Sequence, residues 1–138
     1  MKIFLFARYL CMDSQNARLY VENVAKILYV LSSYRSKQAS FTYRHWKHRY
    51  LVRVPGYHPA IESMLLRRVL ERLGVPFTVE PRDAKLTTAG RRFTVTNVEA
   101  LQKALDNMSA KRLKKIIAEE LENLLDSLTS HFDMDTAS

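Results

Sequence analysis

The chain has 138 residues, 47% of them hydrophobic, enough for one domain with a real core and at most one appended element. Its net charge of +8 is unevenly placed: residues 1–118 carry all 22 Lys and Arg side chains against eight acids, and residues 119–138 carry six acids and no base. One cysteine, Cys11, excludes an intrachain disulfide and favours a reducing, cytoplasmic setting, and no run nears the roughly 20 apolar residues of a membrane span.

Ile3 to Leu10 is short, apolar and aromatic, and predicts a buried strand. Arg8 interrupts this run and no small-residue cleavage site follows, so it is not read as a signal peptide. Asp13 and Ser14 offer an N-cap to a helix whose apolar face is Tyr20, Val24, Ile27, Leu31 and Tyr34. Ser32 to Ser40 is polar and predicts a loop. Phe41 to Val54 nearly alternates β-branched or aromatic residues with others, as one long strand or as a hairpin turning near His45–His48. Pro55-Gly56-Tyr57-His58-Pro59 breaks the pattern. A second helix follows, with Ile61, Leu65, Val69 and Leu73 on one face, Arg67, Arg68, Glu71 and Arg72 on the other, and Gly74 as its stop.

Val75 to Glu80 and Arg91 to Thr96 predict two further strands. Thr96 and Glu99 stand at capping-box spacing before a helix starting near Val98, which breaks at Asn107-Met108-Ser109 and resumes to about Phe132. The order predicts an α+β fold: a small antiparallel sheet with helices packed on one face, plus a long C-terminal helix for self-association. Residues 1–106 form the basic body, and 107–138 the terminal helix with its acidic end.

One segment points at function. From Asn23 to Ile61 there is no Asp or Glu, yet seven Lys or Arg and seven of the fourteen aromatic residues. On a strand, Phe41, Tyr43, His45, Lys47, Arg49, Leu51 and Arg53 share one face; Thr42, Arg44, Trp46, His48, Tyr50, Val52 and Val54 share the other. The second face ends in a core-like run, and the first keeps cations beside rings. Cations neutralise phosphates and rings accept unstacked bases, so such a face suits single-stranded nucleic acid. Rings on strands alone more often belong to a core. The missing acids argue for function, because an ordinary solvated face mixes both signs. The expected contacts are Lys37, Arg44, Lys47, Arg49 and Arg53 on phosphates, and Phe41, Tyr43, Trp46 and Tyr57 on bases. Arg82, Lys85, Arg91 and Arg92 would extend the same groove or simply face solvent.

Other chemistries fare worse. His45 and His48 fall on opposite strand faces, His58 and His131 are isolated, and Gly56, Gly74 and Gly90 are too far apart for a phosphate loop, so no metal or other cofactor is expected. Asp83-Ala84-Lys85 has the acid-x-Lys form of metal-dependent nuclease sites, with Glu62, Glu71 or Glu80 as the second carboxylate. That nuclease is the alternative function. A viral or ribonucleoprotein assembly protein that packages nucleic acid is a third.

Ile117, Leu121, Leu124 and Leu128 repeat at spacings of four, three and four, a heptad seam that Leu125 widens. A terminal helix folded on its own sheet needs the same stripe. A helix from about Ala110 to Phe132 would be roughly 33 Å long, more than a small sheet covers, which favours a homodimer or higher oligomer. A basic, aromatic-bearing α/β body before a leucine-striped terminal helix resembles the ThermoDBP family of hyperthermophilic archaea in layout. That resemblance implies oligomeric, non-catalytic binding of single strands in a groove of rings and cations. Thirteen Arg and few Asn or Gln also lean toward a thermophile.

Overall fold

The computed structural model describes residues 14–42, 59–80 and 91–137. These form four helices and a three-stranded sheet: α1 (Ser14–Ser32), β1 (Ala39–Phe41), α2 (Pro59–Leu73), β2 (Phe77–Val79), β3 (Phe93–Val95), α3 (Val98–Asp106) and α4 (Ala110–Ala137). The fold is α+β, as the element order predicts. The expected strand at Ile3–Leu10 and the remainder of 41–54 lie outside the described residues.

Helix α1 buries Tyr20, Val24, Ile27 and Leu31 as the periodicity requires, and Leu28 widens the stripe. Its end is tightened by Ser33 N–H donating to Val30 O at 3.1 Å and Tyr34 N–H to Leu31 O at 3.3 Å. Ser32 Oγ and Ser33 Oγ donate to the carbonyls of Tyr29 and Val30, so last-turn acceptors are used within the helix. Tyr34 falls beyond this end and is 36% exposed, so it does not continue the buried face.

Helix α2 opens on Pro59, whose missing N–H costs nothing at a helix start. It closes on Gly74 at φ +71°. Val75 N–H reaches Leu70 O at 3.0 Å and Gly74 N–H reaches Glu71 O at 3.1 Å, the two bonds of a Schellman end. Helix α3 is capped by Asn97, whose side-chain oxygen accepts from Ala100 N at 3.1 Å. Thr96, expected in that role from its spacing to Glu99, is displaced by one residue. Ser109 caps α4 by accepting from Arg112 N at 3.1 Å.

The sheet has the order β1-β3-β2, both neighbours antiparallel to β3. The register sets Phe41 opposite Phe93 opposite Val79, and Ala39 opposite Val95 opposite Phe77. These alternate positions face the helices, while Ser40, Thr94 and Thr78 share the other face. There the Ser40 and Thr94 hydroxyls meet at 2.8 Å. Phe93 stacks between Phe41 at 5.6 Å and Phe77 at 5.3 Å, so the sheet's rings are spent inward.

Helix α4 packs on α1 and α2 and is part of the body rather than an appendage. Leu113, Ile117, Leu121, Leu124 and Leu125 are buried in the same core as α1 and the sheet, and Leu128 packs against it. This corrects the expected oligomerisation seam: Ile117, Leu121, Leu124 and Leu128 are used inside one chain. Its physical reason is that α1 and α2, not only the sheet, supply the apolar surface that covers so long a helix. Arg72 on α2 fastens the contact, with Nη1 3.0 Å from Glu120 and Nη2 3.0 Å from Glu119. On the α1 side Lys114 meets Glu22 at 3.1 Å.

Candidate nucleic-acid interface

The clearest place for an anionic strand among the described residues is the turn between α1 and β1. Its backbone is held from one side by α3. Gln102 Nε2 donates to Ser32 O at 2.8 Å and lies 3.4 Å from Tyr34 O, and Val98 N–H donates to Lys37 O at 2.9 Å. Ser36 Oγ donates to Gln38 O within the turn. With the main chain turned inward, the side chains of Tyr34, Arg35 and Lys37 are left outside. They line a cleft of about 570 Å³ together with Ser36, Asn97, Val98, Glu99 and Gln102. Glu99 is the one acid in that lining, and it meets Lys103 at 3.3 Å. Neither Arg35 nor Lys37 makes an ion pair with a described residue.

Of the residues expected from sequence to bind nucleic acid, Lys37 is exposed and lines this cleft. Phe41 is a correction. It is 3% exposed and stacked on Phe93, so it belongs to the core and presents no face to a base. Over Ala39–Phe41, the described strand, the face that holds Phe41 is the dry one. Tyr43, Arg44, Trp46, Lys47, Arg49, Arg53 and Tyr57 lie outside the described residues, as do Asp83, Lys85 and Arg82.

The antiparallel β2–β3 pair is partly self-neutralised. Arg91 Nε donates to Glu80 O at 2.7 Å, and Arg92 Nε stands 3.7 Å from the Glu80 carboxylate. Among the carboxylates considered for a nuclease, Glu62 is fully buried in the first turn of α2 and Glu80 faces Arg92, which leaves Glu71 exposed. No three His, Cys, Asp or Glu side chains gather to hold a metal ion among the described residues. No helix among them is long and apolar enough to cross a membrane.

A second basic surface went unread in the sequence. Lys111, Arg112, Lys114 and Lys115 crowd the first turns of α4, which has no acid in its first turn and no base in its last. This order opposes the helix dipole, whose positive end is at the N-terminus. Its sequence signal is four cations in five residues, beginning two positions after the Ser109 cap. Lys111, Arg112 and Lys115 are exposed. Beside them a cleft of about 350 Å³ lies between α1 and α4, lined by Glu22, Asn23, Ala25, Lys26, Tyr29, Val30, Ala110 and Lys114. Tyr29 is 41% exposed there, and Lys26 is exposed one turn away.

No family model, no curated protein and no solved structure matches the chain.

Proposed function

We propose that the chain is a non-catalytic binder of single-stranded DNA or RNA. The observation that carries this reading is uncompensated positive charge beside rings. From Asn23 to Ile61 there is no acid, and within that stretch Arg35 and Lys37 stand exposed next to Tyr34, with no ion pair to a described residue. Five acids elsewhere are engaged: Glu22 with Lys114, Glu80 with Arg92, Glu99 with Lys103, and Glu119 and Glu120 with Arg72. Cations left over after such pairing are available to phosphates, whose condensed counterions they release.

In this reading Lys37, Arg44, Lys47, Arg49 and Arg53 neutralise phosphates, and Tyr43, Trp46 and Tyr57 stack bases with Tyr34 at the groove's near end. Phe41 drops out because it is core. The layout likeness to the ThermoDBP family points the same way through the body, while the terminal helix no longer supplies a reason for zipper pairing. The test is a fluorescence titration of the chain against single-stranded DNA, single-stranded RNA and duplex, each at two salt concentrations. Single strands are expected to bind more tightly than duplex at equal salt, because rings gain little from bases already stacked. Equal affinity for duplex would reduce the site to a bare basic surface, and no binding at low salt would end the reading.

A further inference from the structure

Tyr29 and Tyr34 are the large hydrophobic side chains left exposed among the described residues, and both stand at the same end of α1. Each lines a cleft. Tyr34 has Arg35 and Lys37 in the lining of its cleft, and Tyr29 has Lys26 and Lys114 in the lining of its own. Helix α3 connects the two places. Its first residues, with Asn97, line the first cleft, and Ala110, the first residue of α4 after the Asn107–Ser109 turn, lines the second. The nine residues of α3 span about 14 Å, the length of a few nucleotides.

An exposed ring is ordinary on its own. Two exposed rings, each set in a cleft with cations and both at one helix end, repeat the ring-and-cation arrangement that accepts a single strand. The cations at the start of α4 add weight. They repel one another and the positive end of their own helix, a local conflict that packing within the chain does not require, since Lys111, Arg112 and Lys115 are exposed. An anionic ligand relieves that conflict. The acids nearby are Glu22, held by Lys114, Glu99, held by Lys103, and Asp106 at the end of α3.

We infer that the bound strand does not stop at the Tyr34–Lys37 turn but continues past the end of α1 into the α1–α4 cleft. There a base stacks on Tyr29, and Lys26 in the cleft lining and Lys111 and Lys115 at its edge meet the backbone phosphates. This rests on the reading that the chain binds single strands, and adds to it a second subsite that joins Lys26 and Tyr29 of the acid-free segment to the first turns of α4, outside it. Two basic clefts joined in one track bind a long strand through linked contacts, which raises affinity beyond either cleft alone.

The test uses the full chain and fluorescein-labelled oligothymidylate long enough to cover both clefts, with oligouridylate in parallel. In the combined variant Lys26→Ala, Lys111→Ala, Lys115→Ala, the slope of log affinity against log salt should become shallower by about two, near 0.7 for each lost phosphate contact. Tyr29→Ala should weaken binding at least about fivefold with the slope unchanged. Melting of the triple variant should stay at or above that of the parent, since the charges of Lys111 and Lys115 are removed from the positive end of a helix. The control is Arg67→Ala, Arg68→Ala, which removes charge from α2 outside the lining of either cleft and should leave most of the slope. If the parent binds while the triple variant matches it in slope and affinity, or while the control loses as much slope, the second subsite is wrong and the first reading stands. If the parent binds neither oligomer, the first reading itself fails.

Discussion

Arg72 and Glu120 meet at 3.0 Å across the α2–α4 contact, with the glutamate side chain only 13% exposed. The same guanidinium reaches Glu119 at 3.0 Å through its other nitrogen, so one cation ties two acids of successive positions to the end of α2. Hydrogen bonds donated to Glu119 and then to Glu120 hold the Arg72 pKa above its ordinary value. Two planar donors on two carboxylates restrict the register in which α4 lies on α2. Exposed pairs stabilise by about 0.2–1 kcal/mol, and the drier Glu120 partner should lie at the upper end of that range. A double-mutant cycle of Arg72→Ala with Glu120→Gln, followed by urea unfolding, should give a larger coupling than the cycle with Glu119→Gln. Equal, near-zero couplings would show that the clamp is a surface accident.

Because α4 is core, removing it should abolish folding. A chain truncated after Met108 loses Leu113, Ile117, Leu121, Leu124 and Leu125 from the buried cluster. It also uncovers the faces of α1 and α2 that these residues pack on. Leu121→Ala in the intact chain should cost about 2–5 kcal/mol, the range for deleting a fully buried leucine. Circular dichroism melting checks both. A truncated chain that melts cooperatively would return the helix to the role of an appendage, and with it the case for pairing between copies.

How much of this was legible in the residues depends on what each signal measures. Helix faces were legible because a 3.6-residue period reports burial directly, whichever partner covers the face. The partner was not: Ile117, Leu121, Leu124 and Leu128 have the same spacing whether they meet a second chain or α1 and α2. The inward direction of Phe41 was likewise hidden, since a period of two gives the alternation and not which face is wet. Only the pairing with β3, and the stacking on Phe93, decides it. Net charge along the chain was legible, but the surviving charge was not. Arg91, Arg92, Arg72 and Lys114 are all tied to acids or carbonyls distant from them in sequence. Tyr34 and Lys37 came to share a cleft through the hydrogen bonds of Gln102 and Val98, which no local pattern announces.

Two end signals separate backbone effects from contact effects. A Cβ placed on Gly74 would meet nothing within 4 Å, yet its φ of +71° is one that side chains rarely adopt. Gly74→Ala should therefore destabilise by about 1–2 kcal/mol from backbone strain alone. Asn97→Ala should cost about 0.5–2 kcal/mol by leaving Ala100 N–H without its cap, and Asn97→Ser should recover most of it. Thr96→Ala, by contrast, should be close to neutral on this count, because Asn97 carries the cap. Chemical denaturation of the four variants decides the order.

The last prediction separates core rings from binding rings. Phe41→Ala should lower stability by about 3–5 kcal/mol, as expected for an aromatic buried against Phe93 and the helices. Where the variant is still folded, its affinity for single-stranded oligothymidylate should match that of the parent. Lys37→Ala should do the reverse: the side chain is exposed and makes no ion pair with a described residue, so melting should not move. Its affinity should fall, with the salt slope shallower by about 0.7 for one lost phosphate contact. Tyr34→Ala should weaken binding and leave the slope alone, since stacking releases no counterion. Melting curves and titrations at two salt concentrations on the same three proteins make the comparison. If Phe41→Ala loses affinity at full folding, the sheet carries a binding face after all. If Lys37→Ala keeps both affinity and slope, the Tyr34–Lys37 cleft is not where the strand begins.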